Sequence, residues 1–70
     1  MEEKKFFKLT YSNTISRLQS VVGACALDRE KAKNVYYIKI ENNYTLLDWI
    51  DECSKEEYLA LPTRYDEEHL

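Results

Sequence analysis

The chain has 70 residues, 44% hydrophobic and 33% charged, with a formal net charge of −3. That is room for one small domain with the composition of a folded protein, and no apolar run approaches the ~20 residues that span a bilayer. A single glycine and a single proline argue against a many-stranded sandwich built on tight turns and favour a few long elements.

Staples are scarce. Cys25 and Cys53 stand far apart in the chain, outside any Cys-x-x-Cys spacing, and His69 is the one histidine that could join them. Neither a metal nor another cofactor is therefore expected. The segment MEEKKFFKLTYSN is charged from the start and builds no signal-peptide core, so two reduced cysteines in a cytoplasmic protein are expected, with a lone disulfide as the alternative. A chain this small without a staple can enlarge its core by pairing with a second copy, which makes a homodimer one expectation.

Residues 5–11, KFFKLTY, place Phe7, Leu9 and Tyr11 on one face and Phe6, Lys8 and Thr10 on the other, which predicts a strand. Ser12, Asn13 and Thr14 then suit a helix N-cap. Ile15, Leu18, Val21, Val22, Cys25 and Ala26 follow at three- and four-residue steps and predict an amphipathic helix over 14–27. Gly23 costs such a helix about 1 kcal/mol, while the run Gly-Ala-Cys-Ala gives it a thin surface for close packing. Arg29 and Lys33 would enter the apolar arc of a continued helix, so either Asp28 opens a separate turn or the last turn is exposed with its basic heads reaching to solvent.

Residues 35–41, VYYIKIE, alternate again, with Tyr36, Ile38 and Ile40 opposite Val35, Tyr37, Lys39 and Glu41, and predict a second strand. Thr45 with Asp48 fits a capping arrangement for a second helix whose pattern breaks near Ser54. Ser54 with Glu57 repeats the arrangement and opens a further short helix, which Pro62 closes. Residues 63–70 show no periodicity and are expected as a frayed C-terminal tail to a single domain over 1–62. The expected fold is α+β, in the order strand, helix, strand, helix and a further short helix, with a short sheet covered on one face by helices. One crossover helix would make the two strands parallel. The alternative is a strand within 15–27 and an antiparallel meander.

Charge divides the chain. Residues 1–40 carry eight Lys/Arg against four acids, net +4, and residues 41–70 carry nine acids against Lys55 and Arg64, net −7. Such a division speaks about partners and not about fold, and mutual attraction of the two halves is its simplest cause. On a helical wheel over Tyr44–Tyr58 the acids gather opposite Leu46 and Ile50, with Trp49 on the boundary. An acidic face with an aromatic anchor suits a basic surface on a protein partner. The expected contact residues are Asp48, Trp49, Asp51, Glu52, Glu56 and Glu57, with Tyr58 accessory. The expected function is a small interaction module, an inhibitor or regulator whose acids stand in for nucleic-acid phosphates, as small inhibitors of phages and mobile elements do by class analogy.

Two other readings belong to different classes. Phe6, Lys8, Tyr37 and Lys39 would share one strand face able to stack bases and hold phosphates, in a dimeric nucleic-acid-binding protein. A structural subunit would instead dock its acidic half onto the basic half of a neighbouring copy. Catalysis is not expected. His69 stands near the end of the chain, Cys25 lies on an apolar stripe, adjacent carboxylates on a helix diverge by about 100°, and no glycine-rich phosphate loop is present.

Overall fold

The computed structural model describes residues 3–69. Strand β1 (Lys5–Asn13) turns back into β2 (Gln19–Ala26), and helix α1 (Arg29–Lys39) leads to β3 (Thr45–Cys53). A short helix α2 (Lys55–Ala60) then leads to β4 (Arg64–Asp66) and a closing 3-10 turn (Glu67–His69). The class is α+β, as expected, but the order is β-β-α-β-α-β. The sheet runs β3-β1-β2-β4, with β1 antiparallel to both neighbours and β2 parallel to β4. Helices lie on both faces of the sheet and not on one.

Residues 14–27 form a turn and a strand, not a helix. Asn13 Oδ1 accepts from the backbone N–H of Ile15 and of Ser16, each at 2.9 Å, and Arg17 takes a positive φ of 64°. Ile15 and Leu18 project from this turn into solvent. In β2, Val22, Ala24 and Ala26 meet α1, while Val21, Gly23 and Cys25 point to the side where α2 docks. A strand covered on both faces loses its alternation. Ile15 and Leu18 then supply the rest of a false helical spacing.

Residues 35–41 are helical through Lys39. Asp28 is the N-cap and accepts from the Lys31 N–H at 2.9 Å. Ala32, Val35 and Tyr36 are the buried stripe, at the i, i+3, i+4 spacing of a helix face. Ile38, which suggested alternation, is exposed. The Tyr36 hydroxyl donates to Thr45 Oγ1 at 2.9 Å and fastens α1 to the start of β3.

Residues 45–53 are a strand with a bulge. Thr10 lies opposite Trp49 and Tyr11 opposite Leu47, so Asp48 is the extra residue. The bulge puts Leu47 and Ile50 on the α1 face, and Leu46 and Trp49 on the other. Both pairs are three apart, which is how a strand came to resemble a helix. Thr45 therefore opens a strand and caps nothing helical. Ser54 is a true cap: its Oγ accepts from the Glu57 N–H at 3.2 Å, and α2 stops before Pro62.

The segment expected as a tail supplies β4, paired to β2 at Gly23–Cys25, and Lys4 holds Asp66 at 2.7 Å and Glu68 at 2.9 Å. Leu70 lies outside the described residues. The core is a single layer between α1 and the sheet, centred on Phe7, Leu9 and Val35. Burial of each such side chain contributes about 1.5–3 kcal/mol. Among the described residues no helix is long and apolar enough to cross a membrane.

Candidate protein-interaction surface

The second face of the sheet is half covered. At one end α2 packs on Phe6, Lys8 and Gly23: the Tyr58 ring lies 5.0 Å from Phe6, and Lys8 Nζ meets Glu57 Oε2 at 2.8 Å. At the other end the rows Val21–Thr10–Trp49 and Gln19–Ser12–Leu46 cross three strands with no helix over them. Trp49 is 51% exposed, Leu46 59% and Val21 36%. Large apolar side chains grouped this way on a small protein are the kind of surface that partners cover.

The expected contact residues fall into two groups. Three are occupied in holding the fold. The Asp48 carboxylate accepts from the Ser12 hydroxyl and, at 3.2 Å, from Gln19 Nε2, so it ties the bulge of β3 to β1 and β2. Glu57 is paired with Lys8, whose hydrogen bond holds the Glu57 carboxyl below its ordinary pKa and which is itself raised in return. Tyr58 is clamped between Phe6 and Gly23, its hydroxyl donating to the Tyr65 carbonyl at 2.9 Å, and burial pushes that hydroxyl's pKa up.

The other four, Trp49, Asp51, Glu52 and Glu56, are exposed, and no ion pair among the described residues engages the three acids. Asp51 lies opposite Lys8 on the same face as Trp49, Glu52 points to the α1 face opposite Phe7, and Glu56 sits in the first turn of α2. They come from an edge strand and the short helix after it, not from one helical face.

Part of the charge division is taken up within the fold. Lys4 with Asp66 and Glu68, Lys8 with Glu57, and Lys31 with Glu67 at 3.8 Å each join a base of residues 1–40 to an acid of residues 41–70. These are surface pairs and contribute little individually. They pair three of the eight bases of residues 1–40 with four of the nine acids of residues 41–70, and Asp51, Glu52 and Glu56 are in none of them.

The face proposed for nucleic acid does not form. Phe6 and Lys8 lie under α2, while Tyr37 and Lys39 belong to α1 on the opposite side of the sheet. The cysteines lie on either side of Phe6, paired to it from β2 and β3. Two strand spacings, roughly 10 Å, exceed the reach of a disulfide. Burial pushes both thiols' pKa up. Among the described residues no group of three His, Cys, Asp or Glu could hold a metal ion.

Sequence reading missed the groove beside β3. An open cleft of about 840 Å³ runs between α1 and the outer edge of the strand, walled by Tyr36, Tyr37, Leu47 and Ile50. Arg29 crosses it to donate to the Ile50 carbonyl. Tyr37 and Leu47 could be named as its walls only once 35–39 is helical and 45–53 extended. In comparisons with known proteins, no family model, no curated protein and no solved structure matches the chain.

Proposed function

We propose that this chain is a small protein-interaction module, an inhibitor or regulator that occupies a basic surface on another protein. The observation that carries the reading is the half-exposed Trp49. It stands on an uncovered end of the sheet with Leu46 and Val21, on the same face as Asp51, which is unpaired among the described residues. Glu52 lies on the other face of the same edge strand and Glu56 on α2. Apolar anchors of this kind supply affinity, and charges at the rim steer the encounter and fix its orientation. Asp51, Glu52 and Glu56 are the steering charges. Asp48, Glu57 and Tyr58 hold the strand and helix that present them. A partner that normally grips phosphates would meet the same charge pattern, so a nucleic-acid-binding protein is the favoured target class.

The test is affinity capture from the native cells at low and high salt, with nuclease present. The captured partner is expected to fall away with salt. It is also expected to be absent when Asp51→Asn, Glu52→Gln and Glu56→Gln are combined in a chain that still melts cooperatively. Undiminished capture by that triple variant disposes of the acidic contact, and a nuclease-sensitive bait transfers the protein to the nucleic-acid class.

A further inference from the structure

Among the described residues no strand pairs with the outer edge of β3. β3 stands at the end of the strand order and is nine residues long, and among the described residues only β1 pairs with it. The opposite edge, β4, has three residues. Proteins usually protect a long edge with lysine or proline on the strand; β3, TLLDWIDEC, has neither. Its protections are the bulge at Asp48 and the Arg29 guanidinium on the Ile50 carbonyl.

That hydrogen bond also fixes the direction of the backbone. The Ile50 carbonyl points away from β1, and in a strand the N–H and C=O of one residue point the same way and alternate along the chain. Ile50 and Glu52 therefore present their main-chain groups outward, and Arg29 stands where the first donor of an added strand would stand. Beyond the bulge, Trp49–Cys53 is the straight part of this edge. The α1 groove, which Trp49 also borders, lies along one side of it, and the register puts Trp49 on the opposite face of the sheet from Ile50.

We propose, resting on the interaction-module reading, that the partner supplies an extended segment rich in Lys and Arg, which adds to the Trp49–Cys53 edge as a fifth strand. Charge selects this occupant. β3 carries Asp48, Asp51 and Glu52 and no base, so an added strand gains from cross-strand bases, whereas a second copy would bring the same three acids to the same edge. On the groove side Arg29, donating to the Ile50 carbonyl, and Lys33, 5.9 Å from the Tyr37 ring centroid, keep their charges, so the segment's bases belong on the other side of the strand, beside Asp51. In this mode main-chain hydrogen bonds give affinity, and alternate side chains of the segment enter the groove or lie beside Trp49.

The probe is a capped peptide of about ten residues alternating lysine and valine, long enough to cover a strand. Its controls are the same peptide N-methylated at alternate positions and a glutamate–valine counterpart. The lysine–valine peptide is expected to bind saturably and to shift the Ile50 and Glu52 amide resonances, while neither control does so. Glu52→Pro removes an outward N–H that solvent-facing edge strands can lose without unfolding. It should weaken binding by about tenfold beyond Glu52→Gln, the scale of one main-chain hydrogen bond.

Equal binding of the N-methylated peptide, shifts centred on Val21 and Leu46, or no saturable binding would overturn strand addition. So would a dimer of the chain that Glu52→Pro abolishes, which would assign the edge to a second copy. Loss of the native partner on neutralising the acids, together with indifference to Glu52→Pro relative to Glu52→Gln, leaves the acidic module standing and strand addition refuted. Indifference to both refutes both.

Discussion

Gly23 lies directly beneath the ring of Tyr58: a Cβ at residue 23 would stand 2.8 Å from Tyr58 Cδ1, 3.0 Å from Cε1 and 3.1 Å from Leu61 Cδ1. The ring has little freedom to retreat, because Phe6 packs on it and its hydroxyl is bonded to the Tyr65 carbonyl. The chain's one glycine is the seat of α2. Gly23→Ala is expected to cost about 1–3 kcal/mol, the usual cost of overpacking, and to loosen α2 before the α1 layer. Denaturant unfolding combined with amide exchange reads this. Early exchange confined to α2 and β4 is the expected signature, and an unchanged midpoint would contradict the account.

The β1–β2 turn holds Arg17 at φ 64°, a conformation in which a side chain with a Cβ is strained and glycine is not. Arg17→Gly should raise stability by up to about 1 kcal/mol. Arg17→Val should lower it, since a branched Cβ worsens the clash. Thermal melts of the two variants should move in opposite directions.

Stability and binding should separate at two apolar residues. Leu9 is fully buried between β2, β3 and α1, and Leu9→Ala is expected to cost about 2–5 kcal/mol. That is a large part of what a domain of this size has in total. Trp49 is half exposed, so Trp49→Ala should change stability by less than about 1 kcal/mol while removing partner capture. A Trp49→Ala variant that unfolds would show that the ring belongs to the core, and one that captures its partner normally would remove the ring from the contact.

Both cysteines should titrate as free thiols under non-reducing conditions once the protein is unfolded. In the folded protein Cys25, 7% exposed, should react more slowly with an alkylating reagent than the partly buried Cys53. Burial raises the pKa of both, which lowers the reactive thiolate fraction at neutral pH. A mass spectrum showing a Cys25–Cys53 disulfide in the folded monomer would contradict the register on either side of Phe6.

The pKa shifts define a stability plateau. Asp66 is lowered chiefly by its hydrogen bond to Lys4, and Glu57 by its hydrogen bond to Lys8. Their contribution is present above the unfolded values of about 3.9 and 4.3 and is lost as pH falls through the lower folded values. Cys25, Cys53 and Tyr58 are raised by burial. Their contribution is present below unfolded values of about 8.5 and 10 and is lost as pH rises through the folded ones. Midpoints measured across pH should be flat between about 5 and 8 and fall on both sides. Asp66→Asn should flatten part of the acid limb and also soften the alkaline limb, because Asp66 helps to raise Lys4, Cys25 and Tyr58.

Parts of this molecule were legible in the residues. The alternation of Phe7, Leu9 and Tyr11 marked β1, Ser54 with Glu57 marked the start of α2, and the basic and acidic halves foretold the ion pairs that join them. Other parts misled for identifiable reasons. β2 is covered on both faces, so no polar side remained to show a period of two. The bulge at Asp48 stretched the spacing of Leu47 to Ile50, and of Leu46 to Trp49, from two residues to three. In α1 the tripeptide Tyr36-Tyr37-Ile38 hid a stripe of Ala32, Val35 and Tyr36 whose small first member carries little hydrophobic signal.

The candidate surface divides the same way. Sequence alone singled out Trp49 and its acids, but through a helical wheel that the strand overturns; what survives is an exposed aromatic residue among carboxylates. The α+β class expected from the residues also fits, although the helix over 14–27, the strand over 35–41 and the helix from Thr45 do not. Tertiary structure decided which acids are left over, since Asp48 and Glu57 are satisfied by Ser12, Gln19 and Lys8, residues distant in the chain that only the β3-β1-β2 order brings near. It decided too that Trp49 stands on a sheet edge and not on a helix. An edge is a property of strand order, and strand order follows from long-range pairing that no local spacing encodes.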